Sequence, residues 1–439
     1  MAQGDLIVEW YTGGLLIGVS ILALLAMRMP LGFVFGTIGA GGLVIMTGNT
    51  NMLMSVVQNL HDMLSDFVLI TIPLFVLMAE LLSSAGFIPD LYEGVEKFTG
   101  RIKGSIAIAT IIASAIFAAV CGSSYVTAAT LAKMTIPEML DRGYKKTLTT
   151  GSVAAGGTLG ILIPPSLAMV IYGYMSGASI AKLFIAGIVP GLLLSMFFIL
   201  VIACWVKLDP KVAAEGKIVS WTDKFRSGAK IVPVIALAIF LLIIIYMGVA
   251  TPAEAAALGC IFALGLCALY GRFHWKFLFD SCLRTIATSG FLLLLMGTAK
   301  VLAFMVSKAG IMYGLQDILS GLPFISFIAI LYVTLAILGL FLEGTSILVL
   351  TTPIFAPAVV AMGLDLIWYG VILVLFIEIA MLTPPVGMNC YIVTEVGKPY
   401  GIRIENVFRG IWPFLTALFL TAFLITSFPG IALWLPATM

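Results

Sequence analysis

Long uninterrupted runs of apolar residues follow one another along this chain, separated by short polar connections. A transmembrane helix needs about 20 consecutive apolar residues. Two other stretches, 50–65 and 272–285, are amphipathic, which predicts helices that lie in the membrane interface. Full-length spanning helices are predicted at 10–28, 30–48, 66–84, 184–206, 231–249, 253–270, 286–306 and 410–430.

Two further apolar stretches carry a short polar tip in the middle. Stretch 104–140 contains Gly122-Ser123-Ser124, and stretch 323–362 contains Glu343-Gly344-Thr345-Ser346. A polar tip between two apolar arms predicts a hairpin that enters the membrane and returns on the same side. We call these residues the first tip (122–124) and the second tip (343–346).

A proline pair divides each of two other long apolar stretches. Stretch 147–178 contains Pro164-Pro165, and stretch 366–396 contains Pro384-Pro385. Proline has no N–H and clashes with the preceding turn, so each pair predicts a discontinuous helix. Interrupted helices in corresponding positions of two halves are typical of transporter binding sites.

Composition confirms the membrane assignment. Hydrophobic residues make up 62% of the 439 residues and charged residues only 10%, against about 45–50% and about 25% in soluble domains. So few charges cannot cover a surface that faces water, which predicts an all-α integral membrane protein in a lipid bilayer. The net charge of +2 is too small to indicate a nucleic-acid partner.

Basic residues predict the orientation, because Lys and Arg concentrate in cytoplasmic loops. Six of them lie between positions 207 and 230, and others flank stretch 104–140 on both sides. Stretch 323–362 has few basic flanks, which fits entry from the opposite face. Following this pattern along the chain places both termini outside the cytoplasm.

The two halves of the chain resemble each other. Pro137 precedes Pro164 by 27 residues, and Pro357 precedes Pro384 by the same 27 residues. In each half the hairpin is followed by the broken helix, and the charge pattern gives the halves opposite orientations. The sequence therefore predicts an inverted-topology repeat.

The broken helices suggest an ion site. The carbonyl oxygens that lose their N–H partners belong to Gly160 and Ile161 in one half, and to Ala380 and Met381 in the other. An unsatisfied carbonyl in hydrocarbon is costly, so it must face protein, water or an ion. Na⁺ is a natural partner, and the alternative is a proline kink repaired by neighbouring helices. The hydroxyls that could complete the ion shell are those of Ser123, Ser124, Thr345 and Ser346.

The half-helix N-termini after each tip and break would direct their positive ends at an anionic substrate. Two carboxylates, Glu343 and Glu378, also lie in the apolar segments. Each could neutralise a cation or carry a proton, or could simply be hydrogen-bonded inside the helix bundle. The predicted substrate contacts are Ser123, Pro165, Ser166, Thr345, Pro385 and Asn389.

Four motifs carry a family resemblance: CGSSYVTAATLAKMTIPEMLDRGY, GILIPPSLAMVIYG, YMGVATPAEAAALG and EIAMLTPPVGMNCYIV. In this order they resemble the large membrane subunit, called DctM-like, of tripartite ATP-independent periplasmic (TRAP) transporters. Cys121 and Lys133 depart from the family pattern, which could alter the substrate that fits. The resemblance implies a sodium-driven, elevator-type importer of organic anions in the bacterial inner membrane. It also implies two partners, a small four-helix membrane subunit and a periplasmic substrate-binding protein.

The resemblance assigns sodium binding to the two tips and the two proline breaks. It also implies a moving transport domain and a fixed scaffold. The candidate sodium ligands are Gly122, Ser123, Ser124, Gly160, Ile161, Pro164, Gly344, Thr345, Ser346, Ala380, Met381, Thr383 and Pro384. The expected parts are scaffold helices at 1–65, a first transport-domain half at 66–183, scaffold helices with the cytoplasmic loop 207–230 and an interfacial arm at 184–285, a second transport-domain half at 286–398, and a C-terminal helix at 399–439.

Two other classes of function fit the sequence less well. An intramembrane enzyme would need a catalytic motif, and the chain contains neither HExxH nor GxSxG. No phosphate-binding P-loop is present either, so any ATP drive would come from another subunit. A channel would need no pair of interrupted hairpins with opposite orientation. The sequence therefore favours a secondary transporter and predicts no catalytic activity.

Overall fold

The computed structural model describes residues 3–100, 102–216, 220–340, 342–385 and 387–439, and the side chains of the same residues apart from 3–11 and 221. The described residues form helices, and none of them lies in a strand. In the first part of the chain the helices are α1 (Gln3–Ala26), α2 (Leu31–Thr47), α3 (Met52–Leu64), α4 (Thr71–Ser84), α5 (Phe87–Thr99), α6 (Ser105–Cys121), α7 (Ser124–Asp141), α8 (Lys146–Leu162), α9 (Leu167–Ser176) and α10 (Ile180–Leu208).

The second part of the chain begins with a short helix, which lies inside the cytoplasmic loop predicted at 207–230. Short 3₁₀ turns also occur at Phe67–Ile70, Lys398–Tyr400 and Pro436–Thr438. The helices here are α11 (Trp221–Gly228), α12 (Val232–Tyr246), α13 (Pro252–Leu269), α14 (Trp275–Lys308), α15 (Ile311–Ser320), α16 (Phe324–Gly339), α17 (Gly344–Ala361), α18 (Leu366–Leu382), α19 (Met388–Gly397), α20 (Ile404–Ser427) and α21 (Gly430–Leu433).

Seven helices in the described part of the chain are long and apolar enough to cross a membrane. The bent pair Thr222–Gly228 and Val232–Tyr246 brings the number to eight. Two of the predicted spans, 30–48 and 231–249, form shorter helices than expected, α2 with 17 residues and α12 with 15. Glycine explains two of these ends, because Gly48 and Gly248 adopt positive φ angles of 62° and 67°, which a continuing helix does not allow.

One predicted boundary is wrong. The sequence separated an interfacial arm at 272–285 from a spanning helix at 286–306, whereas the structure shows one continuous helix, α14, of 34 residues. No proline interrupts the segment, so the change from an amphipathic to an apolar pattern does not end the helix. The expected division between scaffold and second transport-domain half therefore falls inside α14.

Polar caps fix several helix ends. Thr251 and Glu254 form a reciprocal capping box at the start of α13, with Pro252 in the first turn. The side chains of both residues thus satisfy N–H groups that the first turn of α13 leaves free. Elsewhere the side chain of Asp365 accepts hydrogen bonds from two N–H groups at the start of α18.

The two helices that precede the proline pairs form the centre of the molecule. In α18 every residue from Ile367 to Leu382 is buried, and in α8 every residue from Leu148 to Gly160 is buried. Glycines let the neighbours of α8 approach closely, since a Cβ atom at Gly151 would lie 2.3 Å from the carbonyl oxygen of Gly410 in α20. The first proline break is thus held inside the protein, whereas at the second break Pro384 is half-buried and Pro385 is exposed.

Candidate functional site

The first tip connects α6 to α7 and rests directly on the first proline break. Gly122 has a φ angle of 62°, and a Cβ atom there would lie 2.8 Å from the carbonyl oxygen of Pro165. The N–H group of Leu167 donates to the carbonyl oxygen of Gly122 at 3.3 Å. Glycine is therefore required at position 122 both by its backbone conformation and by the lack of space.

A second glycine completes this contact from the helix side. A Cβ atom at Gly160 in α8 would lie 2.6 Å from the carbonyl oxygen of Ser123 and 2.8 Å from the N–H nitrogen of Ser124. The structure thus brings together the first-half sodium candidates Gly122, Ser123, Ser124 and Gly160. Helix α8 ends at Leu162, α9 begins at Leu167, and the Pro164-Pro165 peptide bond between them is cis.

One carbonyl expected to face an ion already has a partner. The hydroxyl of Ser166 donates to the carbonyl oxygen of Ile161 across the proline pair. The same hydroxyl accepts from the N–H group of Met169 at 3.3 Å and so caps α9. Because a carbonyl oxygen has two lone pairs, Ile161 keeps one further acceptor position.

The second tip lies against α18. A Cβ atom at Gly344 would lie 2.6 Å from Cγ2 of Ile377 and 3.6 Å from Sδ of Met381. Glu343 caps α17, because its Oε1 atom accepts from the N–H group of Ser346 at 3.1 Å and from the Ser346 hydroxyl at 2.9 Å. The hydroxyl of Ser346 is thus directed at Glu343.

The second break contains further hydroxyl and carbonyl oxygens. Thr383 donates through its Oγ1 atom to the carbonyl oxygen of Ile379 at 2.6 Å, and its N–H group lies 3.2 Å from the carbonyl oxygen of Ala380. The Pro384-Pro385 bond is cis, and α19 begins at Met388. Hydroxyl and carbonyl oxygens of this kind are suitable ligands for a hard cation such as Na⁺.

Two residues at the start of α7 form hydrogen bonds with the second half of the chain. The hydroxyl of Ser124 donates to Oε1 of Glu378. The hydroxyl of Tyr125 donates to Oε2 of Glu343 at 3.1 Å and accepts from the N–H group of Gly344 at 3.4 Å. The sequence prediction missed Tyr125, although a polar aromatic residue directly after the first tip could have drawn attention to it.

Glu378 is fully buried, with 0% of its surface exposed. Its Oε2 atom has no hydrogen-bond partner in the described structure, and the same holds for both amide atoms of Asn389. The Nδ2 atom of Asn389 lies 3.3 Å from a Cβ atom placed on Gly157 in α8. Polar groups without partners are rare in protein interiors, and these two side chains lie on either side of the second break.

A cavity of about 180 Å³ lies between the two tips. Ser123 and Thr345 line it, so the structure brings together one predicted substrate contact from each half. The other four predicted substrate contacts lie outside its lining. They are Pro165, Ser166, Pro385 and Asn389.

Charge in the cavity is negative. Glu80 and Glu343 line it, and no Lys or Arg is among the described lining residues. Glu80 is paired with Arg284, whose Nε atom lies 2.7 Å from its Oε2 atom. No basic side chain among the described lining residues is therefore available to bind an anion.

Comparison with known proteins identifies relatives along nearly the whole chain. The family model described as "Tripartite ATP-independent periplasmic transporter, DctM component" matches residues 18–431. The C4-dicarboxylate TRAP transporter large permease protein DctM of Pseudomonas aeruginosa is 32% identical over 405 residues, which cover 90% of this chain and 92% of that protein. The sialic acid TRAP transporter large permease protein SiaM of Vibrio cholerae is 31% identical over 424 residues, which cover 94% of this chain and 96% of that protein.

A solved structure shares the fold. The crystal structure of the Alcanivorax borkumensis YdaH transporter, described as having an unusual topology, matches with a TM-score of 0.61. The match covers 88% of this chain and 89% of that one, at 13% sequence identity. At this identity the likeness concerns the arrangement of helices alone.

Proposed function

The chain belongs to the DctM component family of tripartite ATP-independent periplasmic transporters, and from that membership we propose that it imports a small organic anion together with Na⁺. Membership makes it a large permease of a TRAP transporter and a multi-pass membrane protein. Sodium coupling and the direction of transport go beyond family membership and are proposals.

The observation that carries the proposal is the meeting of both tips at one cavity. Each tip packs on a buried helix that ends at a proline pair, and each contributes a hydroxyl-bearing residue, Ser123 or Thr345, to the cavity. Carbonyl oxygens of interrupted helices coordinate Na⁺, while half-helix N-termini attract anionic groups. A bound Na⁺ would also supply the positive charge that the lining lacks.

We also propose how the parts move. Hairpins 104–140 and 323–362 would be re-entrant, and with the two broken helices they would form the moving domain of an elevator built as an inverted repeat. Helices of 1–65 and 184–285 would form the scaffold, although α14 crosses the boundary at 285. Helix α8 packs extensively against α7, and α18 packs against α17, so each broken helix is in contact with its own hairpin.

The relatives indicate the substrate class and the partners. They are named as permeases for C4-dicarboxylates and sialic acid, so a carboxylate-bearing substrate is the simplest proposal. We propose a small four-helix membrane subunit and a periplasmic binding protein as partners, location in the bacterial inner membrane, and both termini in the periplasm. We propose no catalytic activity.

Uptake into proteoliposomes tests the proposal. The chain is reconstituted with its membrane partner, the binding protein and a panel of labelled organic acids, and uptake is compared with Na⁺ or K⁺ outside. Ser123→Ala and Thr345→Ala should raise the Na⁺ concentration that gives half-maximal uptake. The matched controls Ser195→Ala and Thr421→Ala remove buried hydroxyls that bond only to helix carbonyls, at 2.8 Å in each case.

Uptake that is equally fast in K⁺ would reject sodium coupling. A channel is distinguished from a transporter by saturation and by counterflow, since only a carrier loaded inside with unlabelled substrate transiently accumulates labelled substrate above its outside concentration.

A further inference from the structure

Two consecutive residues of the first hairpin bond to the second half of the chain. Ser124 is only 2% exposed and donates to the fully buried Glu378 of α18. Tyr125 reaches the second tip through Glu343 and Gly344, at 3.1 and 3.4 Å. The start of α7 therefore touches both elements on which the second predicted sodium site would be built.

The candidate sodium ligands form two groups, one at the first tip and first break and one at the second tip and second break, and we treat each group as the site of one ion. The contacts of Ser124 and Tyr125 end beside ligands of both groups. Ser123 and Ser124, candidate ligands of the first ion, directly precede Tyr125. The Tyr125 hydroxyl accepts from Gly344, a candidate ligand of the second ion, and lies 3.3 Å from Sδ of Met381, another such candidate. A hydrogen bond weakens steeply as its distance and angle depart from their optimum, so a small displacement of one tip changes its contacts with the other.

We propose that Tyr125 couples the two predicted sodium sites, so that Na⁺ bound at one tip favours binding at the other. This inference rests on the proposed function. An ion held by Ser123 and Ser124 would fix the start of α7, and with it the position of the Tyr125 hydroxyl. That hydroxyl then holds Glu343 and Gly344 where the second ion binds. Coupling of this kind is reciprocal, and it typically changes affinity about 5- to 150-fold.

Tyr125 is a positioning residue, because its hydroxyl bonds to the neighbours of the ions and acts through them. Glu343 transmits the contact, since one of its carboxylate oxygens binds Tyr125 while the other caps α17. An amide at position 343 would keep an oxygen that can accept one of these bonds. The coupling therefore depends on the hydroxyl at position 125 more than on the charge at position 343.

Equilibrium binding of radioactive sodium to the full-length chain, purified in detergent, tests this inference without a substrate. Total ionic strength is held constant with KCl. The wild-type protein should bind Na⁺ with a Hill coefficient clearly above 1, because two coupled sites allow values up to 2. Tyr125→Phe keeps the ring and removes only the hydroxyl, and should lower the Hill coefficient to about 1 and weaken binding several-fold.

Tyr332→Phe is the matched control. It also removes a hydroxyl that joins two helices, here α16 and α20 through Thr426, but it lies away from the cavity between the tips. Its Hill coefficient should equal that of the wild type. Should Tyr125→Phe not fold, Glu343→Ala breaks the same contact from the second tip and should also lower the coefficient.

The outcomes separate this inference from the proposed function. Na⁺ binding with equal cooperativity in wild type, Tyr125→Phe and Glu343→Ala would overturn the coupling and leave sodium transport intact. Non-cooperative binding in the wild type would do the same. If the protein binds no Na⁺ in the presence of K⁺, both the coupling and the proposed sodium transport would be overturned.

Discussion

The hydroxyl of Ser124 donates a hydrogen bond to the carboxyl group of Glu378, 254 positions further along the chain. Ser124 begins the second helix of one hairpin, and Glu378 lies one turn before the end of a helix in the other half. The contact joins the first tip to the helix that precedes the second proline break. It is buried on both sides, so its two partners depend on each other.

Removal of the Glu378 carboxyl group should destabilise the protein through Ser124. Glu378→Leu leaves the buried Ser124 hydroxyl without its acceptor, which should lower the free energy of unfolding by about 1–3 kcal/mol. Glu378→Gln keeps an acceptor oxygen and should cost less. Thermal unfolding of the detergent-purified variants measures both, and the double variant with Ser124→Ala should lose less than the sum of the single losses. Strictly additive losses would show that the two side chains do not interact.

A methyl group at position 160 should separate the first tip from the first break. Gly160→Ala places a Cβ atom 2.6 Å from the carbonyl oxygen of Ser123, which belongs to the backbone and cannot rotate away. We expect a loss of about 1–3 kcal/mol in unfolding free energy and a weaker Na⁺ dependence of uptake. Gly265→Ala is the control, because no atom lies within 4 Å of its added Cβ. Equal behaviour of the two variants would contradict the packing of tip on break.

Arg272 should not be replaceable by lysine. Its Nη1 atom donates to the carbonyl oxygen of Ala85 at 3.1 Å, its Nη2 atom pairs with Asp90, and its guanidinium carbon lies 4.7 Å from the centre of the Phe87 ring. A lysine ammonium cannot make these three contacts together, so Arg272→Lys should cost about 1–3 kcal/mol. The exposed Arg409→Lys serves as control and should change the melting temperature little. Equal melting temperatures for both variants would show that the guanidinium geometry is unimportant.

The amphipathic helix α5 should show a pH-dependent contribution from Glu93. Hydrogen bonds from Lys230 and Lys97, each at 2.6 Å, lower the pKa of Glu93 below its ordinary value of 4.5. A carboxyl group whose pKa is lowered by folding stabilises the folded protein above that ordinary value, and the contribution is lost as the pH falls through the lowered pKa. The effect should be small, because Glu93 is partly exposed to solvent.

Melting temperatures of the wild type and Glu93→Gln between pH 7 and pH 3 test this expectation. The wild type should be the more stable at neutral pH, and the two proteins should converge at acid pH. A difference that stays constant over this range would mean that the ionic contacts of Glu93 contribute nothing to stability.

Local chemistry explains what could be predicted about the fold. Pro164 and Pro384 each lack the N–H group that a continuing helix needs, so the interruptions of α8 and α18 follow from the residues themselves. The polar tips likewise separate α6 from α7 and α16 from α17. The junction near residue 285 was mispredicted because an amphipathic pattern reports which surface a helix faces, not where the helix ends.

The contacts within the site could not be predicted in the same way. Tyr125 and Glu343 are 218 positions apart, and nothing near either residue specifies the other. Ser166 was predicted to contact the substrate. In the structure its hydroxyl donates to the carbonyl oxygen of Ile161. This hydrogen bond depends on the exact path of the chain through Pro164 and Pro165. Such pairings depend on how distant helices pack, which periodicity does not record.

Because α14 is one unbroken helix, the thickness of the bilayer should affect this protein. Its 34 residues, at a rise of about 1.5 Å each, extend well beyond a hydrocarbon layer of about 30 Å. Trp275 and Phe279, near its N-terminus, are 78% and 64% exposed and are suited to the headgroup region. Thinner lipids would tilt the helix further, and that tilt would reach the cavity directly, because Thr288 and Leu292 of the same helix line its wall.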